Sequence, residues 1–162
     1  MKNIQKMNVF QQGLIWGILL GVVELLLNFI GTLTKLTFLN APILIIGIAI
    51  YLFAGLRAAQ ETGKTGTGTL VGLLTALFAS IISAIGNIIT VFTNVDTMRQ
   101  SSQSAADKLH LNIQYTNSMV ITQSLLVVIG SVILALVLGM AAGAIGGAIG
   151  KRQAKNKIVP EY

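Results

Sequence analysis

Residues 121–147 read ITQSLLVVIGSVILALVLGMAAGAIGG, a stretch with no charged side chain and no proline. About 20 helical residues cross the hydrocarbon core of a bilayer, and a backbone in lipid has to satisfy its own hydrogen bonds, which a continuous run does as a helix. The same reading extends along the chain. No charged residue occurs in Leu36–Leu56, Thr65–Val95 or Leu111–Gly150, and only Glu24 lies between Lys6 and Lys35. The pattern predicts an all-α, polytopic membrane protein in which residues 1–162 form one domain. Its four transmembrane helices, at about 9–31, 38–58, 68–92 and 121–147, are expected to pack as an antiparallel bundle. An outer-membrane barrel would show short alternating segments in place of these runs.

Composition excludes much else. The 162 residues are 54% hydrophobic and only 10% charged, with a mean hydropathy of +0.79, so a soluble fold would expose large apolar patches. The net charge of +6 does not point to nucleic acid, because the cations sit at the ends of apolar runs with no basic face interleaved with aromatics. They read as topology signals and headgroup contacts. The absence of cysteine excludes disulfides, thiol catalysis and Cys-type zinc sites and suits a bacterial inner membrane. Lys2 and Lys6 before an apolar stretch imitate a signal peptide, but the stretch is long, contains Glu24 and is followed by no Ala-x-Ala pattern, so a retained first span is expected.

Lysine and arginine counts set the orientation. Eight of the eleven, Lys2, Lys6, Arg57, Lys64, Lys151, Arg152, Lys155 and Lys157, fall on one side, and Lys35, Arg99 and Lys108 on the other. The positive-inside rule places both termini in the cytoplasm, with the tail 151–162 against anionic headgroups. The short first loop predicts a hairpin of spans one and two, and Asn40-Ala41-Pro42 suits a helix entrance. Segment 94–119 is then external. Within it Val95, Met98, Ala105, Ala106, Leu109 and Ile113 recur at near-helical spacing, which predicts an amphipathic helix between spans three and four, with a disordered loop as the alternative.

Small residues recur at every fourth position: Gly13, Gly17 and Gly21 in span one; Gly68, Gly72, Ala76, Ser80 and Ala84 in span three; Ser131, Ala135, Gly139, Gly143 and Gly147 in span four. This spacing puts them on one helix face, where missing side chains let backbones approach closely. Glycine is common in membrane helices, yet five consecutive small positions in each of two helices predict packing grooves. The stretch from Gly139 to Gly150 has small residues on more than one face, so two neighbours can pack there, and self-association is expected at this place. Span two is the plain one.

Two patterns are set aside. Residues 58–65, AAQETGKT, satisfy a relaxed phosphate-loop pattern, but a membrane helix precedes them where that chemistry needs a strand of a soluble sheet. A flexible turn is expected there and no nucleotide. His110 stands alone, so no metal site is expected. Trp16 and Tyr51 lie inside spans and serve packing as much as anchoring.

Glu24 is the most informative residue. It lies within span one, where burying a carboxylate costs a few kcal/mol unless it is protonated, paired or hydrated. Asn28 follows one turn later, and Asn87 in span three and Ser131 in span four fall at similar depths. A polar cluster of Glu24, Asn28, Asn87 and Ser131 in the outer half is the expected intramembrane site, between spans one and three. It can serve as a proton or cation site; the structural alternative, favoured by the lack of a basic residue at matching depth, is a neutral acid tying helices together.

Four short-looped spans, a glycine-rich second turn and the stretch Gly72-Leu-Leu-Thr-Ala-Leu-Phe-Ala-Ser-Ile-Ile-Ser-Ala84 resemble small four-span bacterial integral membrane proteins classed as domains of unknown function. The resemblance implies no activity and no functional residue. The expected function is that of a non-enzymatic structural or accessory subunit, without cofactor, whose partners are the lipid bilayer and itself or another membrane protein. A small transporter or channel with Glu24 as its coupling group is the alternative.

Overall fold

The computed structural model describes the backbone of residues 7–34 and 40–156 and the side chains of residues 7–31 and 43–156. Lys2, Lys6, Lys35, Lys157 and the expected start of span two, with the entrance side chains of Asn40-Ala41-Pro42, lie outside the described residues. Among the described residues there are five helices: α1 (Val9–Thr34), α2 (Asn40–Thr62), α3 (Thr65–Thr93), α4 (Val95–Lys108) and α5 (Asn117–Asn156). Four of them, α1, α2, α3 and α5, are long and apolar enough to cross a membrane.

The helix ends follow from local chemistry. Asn8 accepts a hydrogen bond from the Gln11 N–H on its Oδ1 at 2.8 Å, while its own N–H donates to Gln11 Oε1 at 3.2 Å. This reciprocal capping box starts α1. Gly63, at φ 67°, takes the left-handed conformation that ends α2, its N–H donating to the Ala59 carbonyl at 2.8 Å. Only Gly63 and Lys64 separate α2 from α3, so the second turn is tighter than expected, and Arg57 lies inside α2. His110, at φ 54°, plays the same part after α4, where the Leu111 N–H reaches the Ala106 carbonyl. Thr116 Oγ1 accepts from the Met119 N–H at the start of α5.

Segment 94–119 is mostly helix. Gln103 of α4 clasps the returning chain, donating to the Ile113 carbonyl at 3.1 Å and accepting from the Tyr115 N–H at 2.9 Å. The last helix continues past the expected boundary into the basic tail. Its 40 residues make a rod of about 60 Å, twice the ~30 Å hydrocarbon core.

Packing does not follow chain order. Helix α3 packs on α5, α5 on α2 and α1 on α3, while α1 and α2, neighbours in sequence, touch sparingly and α1 and α5 share no contact among the described residues. Gly13, Gly17 and Gly21 face Leu74, Phe78 and Ile82 in that order, so α1 and α3 run parallel. Gly68 faces Gly147 and Gly72 faces Gly139 and Gly143, so α3 and α5 run antiparallel.

Side chains Gln12, Glu61, Gln60 and Gln153 share one end: Gln12 bonds to Glu61 and Gln60 to Gln153. We term this end the base and the opposite end, beside α4, the crown.

Candidate functional site

The site is defined by where helices stop touching. Through the base half, glycines let backbones meet. A methyl group on Gly55 of α2 would lie 2.5 Å from the Gly143 carbonyl oxygen, and one on Gly146 or Gly150 would strike the Leu52 or Leu56 carbonyl. Gly139, Gly143 and Gly147 meet α3, while Gly146 and Gly150 meet α2. The two small faces at the end of α5 are therefore both filled by helices of the same chain, a different occupancy from the self-association expected there. Span two is not plain, since Gly55 sits at the crossing. Two signals point to it in the sequence: Gly47 and Gly55 are eight residues apart, and Gly146 and Gly150 repeat the spacing of four.

Toward the crown the stripes change role. Ala76 packs against Gly139, and Ser80 is buried. Ala84 is half-buried. Ser131 and Ala135 instead line a cavity, and the Ser131 hydroxyl donates to its own helix at the Val128 carbonyl, 2.7 Å away. Helices that are tight at the base diverge here and leave three cavities between them.

Glu24 stands at the start of this divergence, one turn beyond Gly21. Ser83 Oγ of α3 donates a hydrogen bond to Glu24 Oε2. The other oxygen, Oε1, lies toward α2: a methyl group built on Gly47 would be 4.0 Å from it and 4.0 Å from Tyr51 Cε2. One oxygen is thus engaged by α3 and the other faces a cavity of about 190 Å³ lined by Ile43, Leu44, Ile48, Tyr51, Leu134 and Leu138 together with Ser131 and Ala135.

The four polar residues expected to cluster are spread over adjoining cavities. Glu24 and Ser131 share the one just described. Asn28 and Asn87 share a second, about 370 Å³, between the crown halves of α1 and α3, with Ser83 and Thr90. Asn87 and Ser131 share a third, about 440 Å³, between α3, α4 and α5. Ser83 belongs to the set and was not singled out; it lies four residues before Asn87 and so on the same helix face, a signal hidden by the neighbouring small residues Ser80 and Ala84.

The base half is packed more tightly. Leu20, Val71 and Thr75 are fully buried side chains there. At its end Gln12, 3% exposed, donates to Glu61 Oε2 at 2.6 Å and to the Met7 carbonyl at 3.3 Å, and Glu61 pairs with Arg57 at 3.5 Å. Residues 58–62 are helical, so their N–H groups form no phosphate cradle. No group of three or more His, Asp or Glu able to hold a metal occurs among the described residues.

No protein family, no curated protein and no solved structure matches this chain.

Proposed function

We propose that the chain is a multi-pass protein of the cell (inner) membrane, with both termini cytoplasmic, that has no enzymatic activity and works by binding a proton or a cation at Glu24, as a small transporter does. The observation that carries this reading is the two-sided setting of the carboxylate. Ser83 holds one oxygen, and the other faces a cavity with no lysine or arginine among the described residues of its lining. A membrane-embedded acid is costly, and such residues characteristically mark substrate or ion pathways. Polar side chains from Asn94 through Thr90, Asn87 and Asn28 to Ser83 line the second cavity on the crown side, which by the charge count is the outer side.

Reconstitution into liposomes tests it. A sodium or proton gradient should drive cation flux in the native chain and not in Glu24→Gln of equal stability. Equal flux in both, or none in either, would remove the reading.

The accessory-subunit reading keeps one observation of its own. Gly130 lies on the exposed face of α5 with nothing within 4 Å of a methyl built on it, a notch that a partner helix could fill. Native mass and co-purifying proteins in a mild detergent test that alternative, and one stoichiometric partner would favour it.

A further inference from the structure

We propose that the cavity between α2 and α5 binds a small organic ammonium ion with an apolar body, its charged head at Glu24 and its body between the two helices. The inference rests on the reading of Glu24 as a cation site and adds the chemical class of the ligand and its route.

The lining decides the class. Ile43, Leu44 and Ile48 from α2 and Leu134 and Leu138 from α5 form apolar walls, and the polar groups among the described residues of the lining are Glu24, Tyr51 and Ser131. Ser131 already spends its hydrogen on Val128. A small inorganic ion such as calcium or magnesium asks for about six oxygen ligands, more than this wall offers. An alkylated ammonium asks for less: one carboxylate for its charge, an aromatic ring for cation–π attraction and hydrocarbon for its body. The space in front of Gly47 adjoins both groups, because a carbon there is 4.0 Å from Glu24 Oε1 and from the ring carbon Cε2 of Tyr51.

Volume and access set the limits. About 190 Å³ is below the ~300–1,000 Å³ of sites for drug-sized ligands, so the ligand is a small amine. Leu44 is 51% and Leu134 55% exposed, and α1 and α5 share no contact among the described residues, so the mouth opens sideways toward lipid in the crown half. The base side is shut where Gly55 meets Gly143 and Leu52 meets Gly146. An amphiphilic cation partitions into the headgroup region and reaches such a mouth along the bilayer.

The test is equilibrium binding of tritiated benzyltrimethylammonium to the full chain purified in a neutral maltoside detergent, at fixed pH. The native chain should bind it saturably. Glu24→Gln, which removes the charge, and Gly47→Leu, which fills the cavity, should each weaken binding at least about 10-fold, while Gly130→Leu should not. If Glu24→Gln fails to fold, Gly47→Leu decides, because it leaves the carboxylate and Ser83 in place. Absence of saturable binding by the native chain, or equal binding by Gly47→Leu with its melting temperature retained, overturns the inference. Cation flux through Glu24 without probe binding would overturn this inference alone; loss of both would remove the cation reading as well.

Discussion

Gly72 of α3 and Gly143 of α5 meet backbone to backbone: a methyl group on Gly72 would lie 2.8 Å from the Gly143 Cα, and one on Gly143 would lie 2.9 Å from the Gly72 Cα. Lipid tails are as apolar as leucine, so helices in a bilayer gain little from hiding hydrocarbon and depend on close packing. The crossing supplies it, and backbone cannot step aside for a side chain. Gly143→Leu should destabilise the fold by about 1–3 kcal/mol or more, seen as a lower melting temperature in detergent. Gly130→Leu, into open space, should melt with the native chain; equal effects of the two changes would deny the crossing its role.

Thr75 is fully buried, and its hydroxyl has no hydrogen-bond partner among the described residues. A buried hydroxyl without a partner costs about 1–3 kcal/mol. Valine has the same shape without that group, so Thr75→Val should hold or raise stability by up to about 1 kcal/mol. A clear loss in thermal melting would mean that the hydroxyl is engaged.

The Ser83–Glu24 hydrogen bond joins α1 to α3. A double-mutant cycle with Ser83→Ala and Glu24→Met should give a coupling of about 0.6 kcal/mol, the usual size for such bonds in membranes. Coupling near zero in reversible unfolding would leave the two side chains as mere neighbours.

At the base, Gln12→Leu removes the donor that reaches Glu61 at 2.6 Å and leaves a half-buried carboxylate with Arg57 alone. The loss should be about 1.5–3 kcal/mol, as for hydrogen bonds to charged groups. Glu61→Gln should cost less, since its amide oxygen still accepts. The reverse order of melting temperatures would overturn this account.

Orientation can be read directly, because the chain has no cysteine. Ser104→Cys on α4 should react with a membrane-impermeant maleimide in intact cells, and Asn156→Cys only after permeabilisation. Swapped labelling would invert the topology inferred from the lysines and arginines.

The existence of the four long helices was readable because it depends on local composition alone, and the stretch at 121–147 suffices for one of them. Boundaries were less so. The last helix runs on to Asn156 because Lys151 to Asn156 contain no breaker, whereas the hydropathy of the tail marks only where lipid contact should end. Neighbourhood was not readable: spacing of four tells which face is small, and nothing in it tells that Gly143 meets both Gly72 and Gly55 or that α1 lies on α3 instead of α2. For the same reason Glu24 could be singled out by its charge, while its partner Ser83 and the cavity before Gly47 depend on how the helices diverge, a property of three chains of contacts at once.

Helix α5 is one unbroken rod clamped by glycines from Gly139 to Gly150, and both α2 and α3 meet it at Gly143. From that residue it extends about 39 Å to Asn117 and about 20 Å to Asn156 at 1.5 Å per residue. It is in effect a lever with unequal arms and its fulcrum at the glycine crossing. Any tilt that widened the gap beside Leu134 would swing Gln153, almost equally far from Gly143 on the other arm, the opposite way by about the same distance, against Gln60. Occupancy of one face of the membrane would then be felt mechanically at the other, without a passage being opened between them.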